Sequence, residues 1–104
     1  GFFSCQGLDV EAAEFLLKKK IKLVGINLRM FDIVGNKHRP LHMLFLNNET
    51  PLIENLVNLE KLPKNSPFLF VGLPLNLKSA TASPIRAIAI LDSKIGLLED
   101  KKII

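Results

Sequence analysis

His42 and Glu54 stand twelve positions apart in the stretch LHMLFLNNETPLIENL, among Leu44, Phe45, Leu46, Leu52, Ile53 and Leu56. A carboxylate in apolar surroundings is costly unless a cation or several donors lie beside it. Either the two residues belong to a site, or they point away from the core. His38 lies four residues before His42, a spacing that could put two metal ligands on one helix face. Pro40 between them favours a helix starting there, which leaves His38 in a loop. On spacing alone, metal binding by His42 is the minority reading. Cys5 could be a nucleophile, but nothing near it in sequence would lower its pKa, so it reads as a structural thiol. There is no G-x-S-x-G elbow, phosphate-cradling glycine loop, C-x-x-C or H-E-x-x-H.

The chain that must position these residues has 104 of them, enough for one small domain with a modest core. Hydrophobic residues make up 48% and charged residues 23%, an ordinary globular balance. Part of the +4 net charge is local, in Lys18, Lys19, Lys20, Lys22 and the Lys101-Lys102 pair, and reads as solvated helix end and tail. With no Trp or Tyr, and with the Phe residues in apolar runs, stacking platforms for nucleic acid are missing, which excludes that partner class. No apolar run approaches the roughly 18 residues of a membrane span. A lone cysteine fits a reducing compartment, hence a cytoplasmic location. The start GFFSCQG has no basic segment of a signal peptide and no initiator Met, so the chain is expected to begin inside a longer protein.

Asp9 is a good N-cap, Glu11 and Lys18 to Lys20 complement the helix dipole, and Val10, Ala13, Leu16 and Leu17 make one apolar face. That predicts a helix over Asp9 to Lys20, followed by a buried strand in KLVGIN and hence an α/β unit. Asn27 to Arg39 reads as a loop, PLHMLFLNN as a short helix with Pro40 in its first turn, and PLIENL as a short strand. NLEKLPKNSP is a connection. FLFVGLPLNL and IRAIAIL are the remaining strands, the second expected to be buried on both faces. The helix is expected to pack on one sheet holding LVGI, FLFVGL and IRAIAI.

GLDVEAAEFLLKKKIKLVGIN, LHMLFLNNETPLIENLVNLEKLP, FLFVGLPLNL and SPIRAIAIL run, in this order, like the C-terminal half of the cyclase family of metal-dependent hydrolases, which includes bacterial kynurenine formamidase. The family pattern there is of the type G-L-S-x-E-A-A-x-x-L, V-G-I-D, H-R-x-L-L-x-x-x-I-P-I-x-E-N-L-x-N-L-x-x-L, A-L-P-L and G-S-P-V-R-A-I-A. The resemblance covers nearly all of Gly7 to Leu91. It implies a layered β/β/α, swivelling-domain-like fold with a mixed sheet. It also implies that His42 and Glu54 help to bind a catalytic divalent metal, zinc or manganese, which would neutralise Glu54.

The family's other ligands, and the histidine expected to act as acid and base, lie in an upstream His-x-Gly-Thr-His-x-Asp segment without counterpart in residues 1–104. Asn27 stands where the family has Asp, Met43 where it has Arg, Thr50 where it has Ile, and Ala82 where it has Gly. Two ligands are too few for a catalytic zinc, which takes three plus water. The 104 residues alone are expected to be inactive. As part of a longer chain, the implied function is hydrolysis of an amide (formamide) or ester bond by metal-activated water, as in tryptophan catabolism. The implied partners are a small-molecule substrate and either a homo-oligomer or the missing N-terminal half. The alternative is a non-catalytic domain of this fold used for assembly or binding. Arg86 could clamp a substrate carboxylate and Asp32 could orient the His42 ring. A strand-start arginine paired with an acid, and a loop Asp in an Asx-turn, are the simpler readings. Both residues, with Glu60 and His38, are left outside the site.

Overall fold

The computed structural model describes residues 7–91. Asp9 caps the first helix, α1 (Val10–Lys18), its carboxylate accepting from the Ala12 amide at 2.7 Å. The helix stops at Lys18 and not Lys20, because Lys20 has left-handed backbone (φ 58°), in which no helix can continue. Ala13 is fully buried and Leu16 and Leu17 pack on the core, as the apolar spacing requires. Val10 is 45% exposed, a correction to the expected face. It is the first helical residue, and its side chain leans back past the helix end rather than onto the face that Ala13, Leu16 and Leu17 share.

Strand β1 (Val24–Gly25) follows, then a long loop, helix α2 (Pro40–Asn47) and strand β2 (Leu52–Ile53). β1 and β2 are parallel, with Val24 opposite Leu52 and Gly25 opposite Ile53. Parallel neighbours need a crossover, and α2 provides it, so this stretch is a short βαβ unit. Backbone bonds from Ile26 to Ile53, Leu56 to Ile26 and Asn55 to Leu28 carry the pairing past the strand ends. The strand contact is close at Gly25, where an added Cβ would lie 2.6 Å from Leu56 Cδ1. α1 packs against α2. Between them lie the buried side chains Ala13, Phe31, Leu41 and Phe45, ringed by Leu8, Ile21, Val24, Ile26, Leu44 and Leu52. The Phe31 and Phe45 rings meet edge to face at 6.0 Å.

The described chain divides into two compact units, the first ending at Val57 and the second beginning at Asn58. The second opens on a single 3-10 turn, Leu59–Lys61, within the segment expected to be plain connection. Strands β3 (Leu69–Val71) and β4 (Ile88–Ile90) then pair antiparallel, Phe70 opposite Ala89. A bridge between Pro74 and Ile85 extends the ladder, and the Ser83 hydroxyl accepts from the Leu75 amide at 2.9 Å.

The architecture is thus a mixed α/β one with parallel and antiparallel strands. The single sheet expected for LVGI, FLFVGL and IRAIAI is two sheets instead, because β2, returning over the α2 crossover, takes the place beside β1. Nor is β4 buried on both faces: Ala87 and Ala89 are half-buried, while Ile88 and Ile90 stand exposed on the opposite face. Among the described residues no helix is long and apolar enough to cross a membrane. Cys5 and the Lys101-Lys102 pair lie outside the described residues.

Candidate metal site

Helix α2 begins without a local cap. Its N-cap residue, Arg39, is left-handed (φ 44°, ψ 56°) and its side chain makes no capping bond. Pro40 has no amide to satisfy, and the Met43 amide bonds back to the Arg39 carbonyl. That leaves Leu41 and His42, whose amides point out of the first turn and need an acceptor. Asp32 supplies it from the preceding loop: its two carboxylate oxygens accept from Leu41 N at 2.8 Å and from His42 N at 3.0 Å. The oxygen bound to the His42 amide also meets His42 Nδ1, at 2.5 Å.

Asp32 therefore fixes the helix start and the ring at once. Its side chain is 1% exposed, and burial by itself pushes the carboxyl pKa up. The hydrogen bond from the His42 ring, the His42 and Leu41 amides and, when the ring is protonated, its charge together outweigh burial and hold Asp32 below its ordinary value. An ionised carboxylate can only accept, so Nδ1 carries a proton and the opposite nitrogen, Nε2, is the one left for other chemistry. The Phe31 ring meets the imidazole edge-on at 6.0 Å and limits its rotation.

Glu54 follows β2 directly. Its Oε1 accepts from the Phe31 amide at 3.1 Å and lies 3.1 Å from His42 Nε2. The two residues that sequence singled out are thus brought together, the Glu54 carboxylate lying beside the His42 ring and accepting from one backbone amide. Neither is sealed off: the side chains of His42 and Glu54 are 13% and 28% exposed. Arg39 Nη2 also approaches Nε2, at 3.0 Å.

One imidazole nitrogen and one carboxylate oxygen are a donor set that suits zinc and similar divalent ions. Two donors bonded to one cation at roughly 2.0–2.2 Å, at angles between square and tetrahedral, stand about 2.8–3.6 Å apart. The His42–Glu54 separation fits two adjacent ligands. Among the described residues no three His, Cys, Asp or Glu side chains are arranged to hold a metal together. Asp32 faces the other ring nitrogen and takes the orienting position.

His38 sits exposed in the loop, its amide donating to the Asn36 side chain, and Glu60 and Arg86 are exposed. Asp32 is the residue that sequence reasoning undervalued by reading it as a loop Asx-turn. The available signal was the helix start itself: a Pro-initiated turn with Arg at the cap position needs an acid from elsewhere. Arg39 carried no signal of its own. Of the departures from the family pattern, Met43 is 52% exposed and points away, whereas Thr50 is buried.

No protein-family model matches the sequence. The chain is 37% identical over 73 residues to a kynurenine formamidase of Polaromonas naphthalenivorans, a match covering 70% of this chain and 32% of that protein. It is 32% identical over 81 residues to a kynurenine formamidase of Bacillus cytotoxicus, covering 78% of this chain and 38% of the relative. An uncharacterized protein of Methanocaldococcus jannaschii is 43% identical over 84 residues, with coverages of 80% and 42%. The chain therefore spans about two fifths or less of the length of these relatives. Among solved structures, a potential metal-dependent hydrolase with cyclase activity superposes with a TM-score of 0.64 at 27% identity, over 80% of this chain and 40% of that one.

Proposed function

From the kinship of this chain with the cyclase family of metal-dependent hydrolases, we propose that it supplies two metal ligands, His42 Nε2 and Glu54 Oε1, to a kynurenine formamidase-like hydrolase of amide or ester bonds. The observation that carries the reading is their 3.1 Å approach, with the far ring nitrogen held by a buried acid. The ion is zinc or manganese, the remaining ligands and the acid/base histidine come from a segment of the His-x-Gly-Thr-His-x-Asp type, and the complete domain has the layered β/β/α arrangement. The substrate is a small molecule, the setting is cytoplasmic, and the protein works as an oligomer or joined to that other segment. A divalent cation at such a site polarises a carbonyl and brings the pKa of water toward neutrality.

The chain's own residues do the positioning. Asp32 holds the Nδ1 proton and so presents the Nε2 lone pair outward. The Phe31 amide holds Glu54 Oε1 with one hydrogen bond, and the Phe31 ring limits the imidazole's freedom. Preorganisation of this kind lowers the entropic cost of gathering ligands.

A second reading, a non-catalytic domain of this fold used for binding or assembly, draws on the exposed leucines of the second unit, Leu73 at 77% and Leu75 at 59%. Metal analysis separates the two. His42→Ala and Glu54→Gln should each strip bound zinc or manganese from the protein while leaving its circular dichroism spectrum in place. Unchanged metal stoichiometry in both variants, with stability lowered by about 1–3 kcal/mol, would instead make them a structural hydrogen-bonded pair.

A further inference from the structure

Two groups face His42 Nε2, and it can serve only one of them. Glu54 Oε1 stands at 3.1 Å and Arg39 Nη2 at 3.0 Å. A protonated Nε2 donates to Glu54 and has nothing to offer a guanidinium. A bare Nε2 accepts from Arg39, which can only donate, and has no proton for Glu54. Asp32 biases the choice, since it claims the proton on Nδ1 and leaves Nε2 as the acceptor of the neutral ring. Among the described residues Arg39 makes no ion pair with a carboxylate, so its charge is tied to the imidazole rather than to Glu54.

We propose that Arg39 is a built-in competitor for the metal. Its guanidinium occupies the lone pair of His42 Nε2, and a divalent cation binds there only after that side chain has swung away. The competition has two parts, the hydrogen bond that must be given up and the repulsion between a guanidinium and an incoming cation. Arg39 can make the move, because it is an exposed residue at the very edge of the helix. The consequence is a site whose affinity is set by a residue that is not a ligand. This rests on the metal-site reading above.

The test is calorimetric titration with Zn2+ of the chain and of its Arg39→Ala, Arg39→Gly and His42→Ala variants. Glycine is included because it accepts the left-handed backbone at this position without strain. Both Arg39 variants should bind Zn2+ roughly tenfold more tightly than the parent, as expected for loss of one charge-assisted hydrogen bond. Equal or weaker binding by the Arg39 variants, with binding still lost in His42→Ala, overturns the competition and leaves the metal reading standing. Zn2+ binding that His42→Ala does not reduce overturns both. A metal-free measurement gives an independent arm: modification of His42 by diethylpyrocarbonate, which attacks an uncovered neutral imidazole, with the exposed His38 as internal reference. His42 should react several-fold faster relative to His38 when Arg39 is removed, and an unchanged ratio means that the guanidinium does not cover Nε2.

Discussion

The two compact units solve the problem of burial differently. In the first, four apolar side chains and two polar ones, Asp32 and Thr50, are buried among the described residues, and the candidate site is built directly against them. Phe31 shows the link: its ring is 1% exposed in the core, its edge meets His42, and its amide holds Glu54. In the second unit no described residue is buried, and Leu73, Leu75 and Leu77 are each at least half exposed. Equal access to apolar residues did not give equal cores. What the first unit has is two packed helices, one of them the crossover, with the buried side chains between them, whereas an antiparallel pair by itself leaves one face open. Every described contact that positions His42 and Glu54 comes from the first unit.

The largest effect should come from that core. Phe45→Ala removes a fully buried ring that packs on Phe31, and should destabilise the protein by about 3–5 kcal/mol in chemical denaturation. A cost below about 1 kcal/mol would erase the distinction between the units.

Asp32→Asn comes next. It weakens the acceptor for two helix amides and the ring, at an expected cost of about 1–3 kcal/mol near neutral pH. If the metal reading holds, it should also lower Zn2+ affinity by roughly 10–100-fold. The same residue gives the acid behaviour its sign. The native carboxyl titrates below its ordinary value, so as pH falls the unfolded chain takes up the proton first. The Asp32 contribution is therefore complete above the ordinary carboxylate range, roughly pH 4, and disappears as pH drops through the lower native value. Urea midpoints measured across that window should fall more steeply for the parent than for Asp32→Asn, and parallel curves would remove Asp32 from the account.

The smallest effect belongs to the second unit. Leu73→Ser, at a side chain 77% exposed, should change stability by no more than about 0.5 kcal/mol. A larger and concentration-dependent loss would show that the face is covered by a second copy, and would sharpen the comparison into one between a self-sufficient unit and a borrowed core.

How much of this was legible in the sequence depends on the range of the interaction. The α1 cap at Asp9, the Pro40 start of α2 and the apolar rhythm of Ala13, Leu16 and Leu17 are set within one or two turns, and local sequence order reveals them. The approach of His42 to Glu54 was suggested by family resemblance and not by spacing, since joining a helix start to a strand end requires the β1–β2 pairing to bring them side by side. Asp32 was misread because its partners lie nine and ten positions on, beyond any local turn rule. The split into two sheets escaped for a related reason. Strands of two or three residues carry too little side-chain pattern to say which neighbour each will take.

The double grip of Asp32 also decides where this chain can tolerate extra residues. Residues 33–39 leave the carboxylate and return to it, looping out through Ile33, Val34 and Gly35, where Gly35 adopts φ 89° and has nothing within 4 Å of an added Cβ. Both ends of that loop are pinned by the same side chain, so lengthening it leaves the helix phase and the imidazole where they were. Even a doubled loop costs only about 0.6 kcal/mol in closure entropy. One residue inserted after Leu41, by contrast, would turn His42 through roughly 100° and carry it off the Glu54 side. Length drift, a grafted epitope or a reporter peptide thus has a natural berth around Gly35, seven residues in sequence from the histidine it leaves undisturbed.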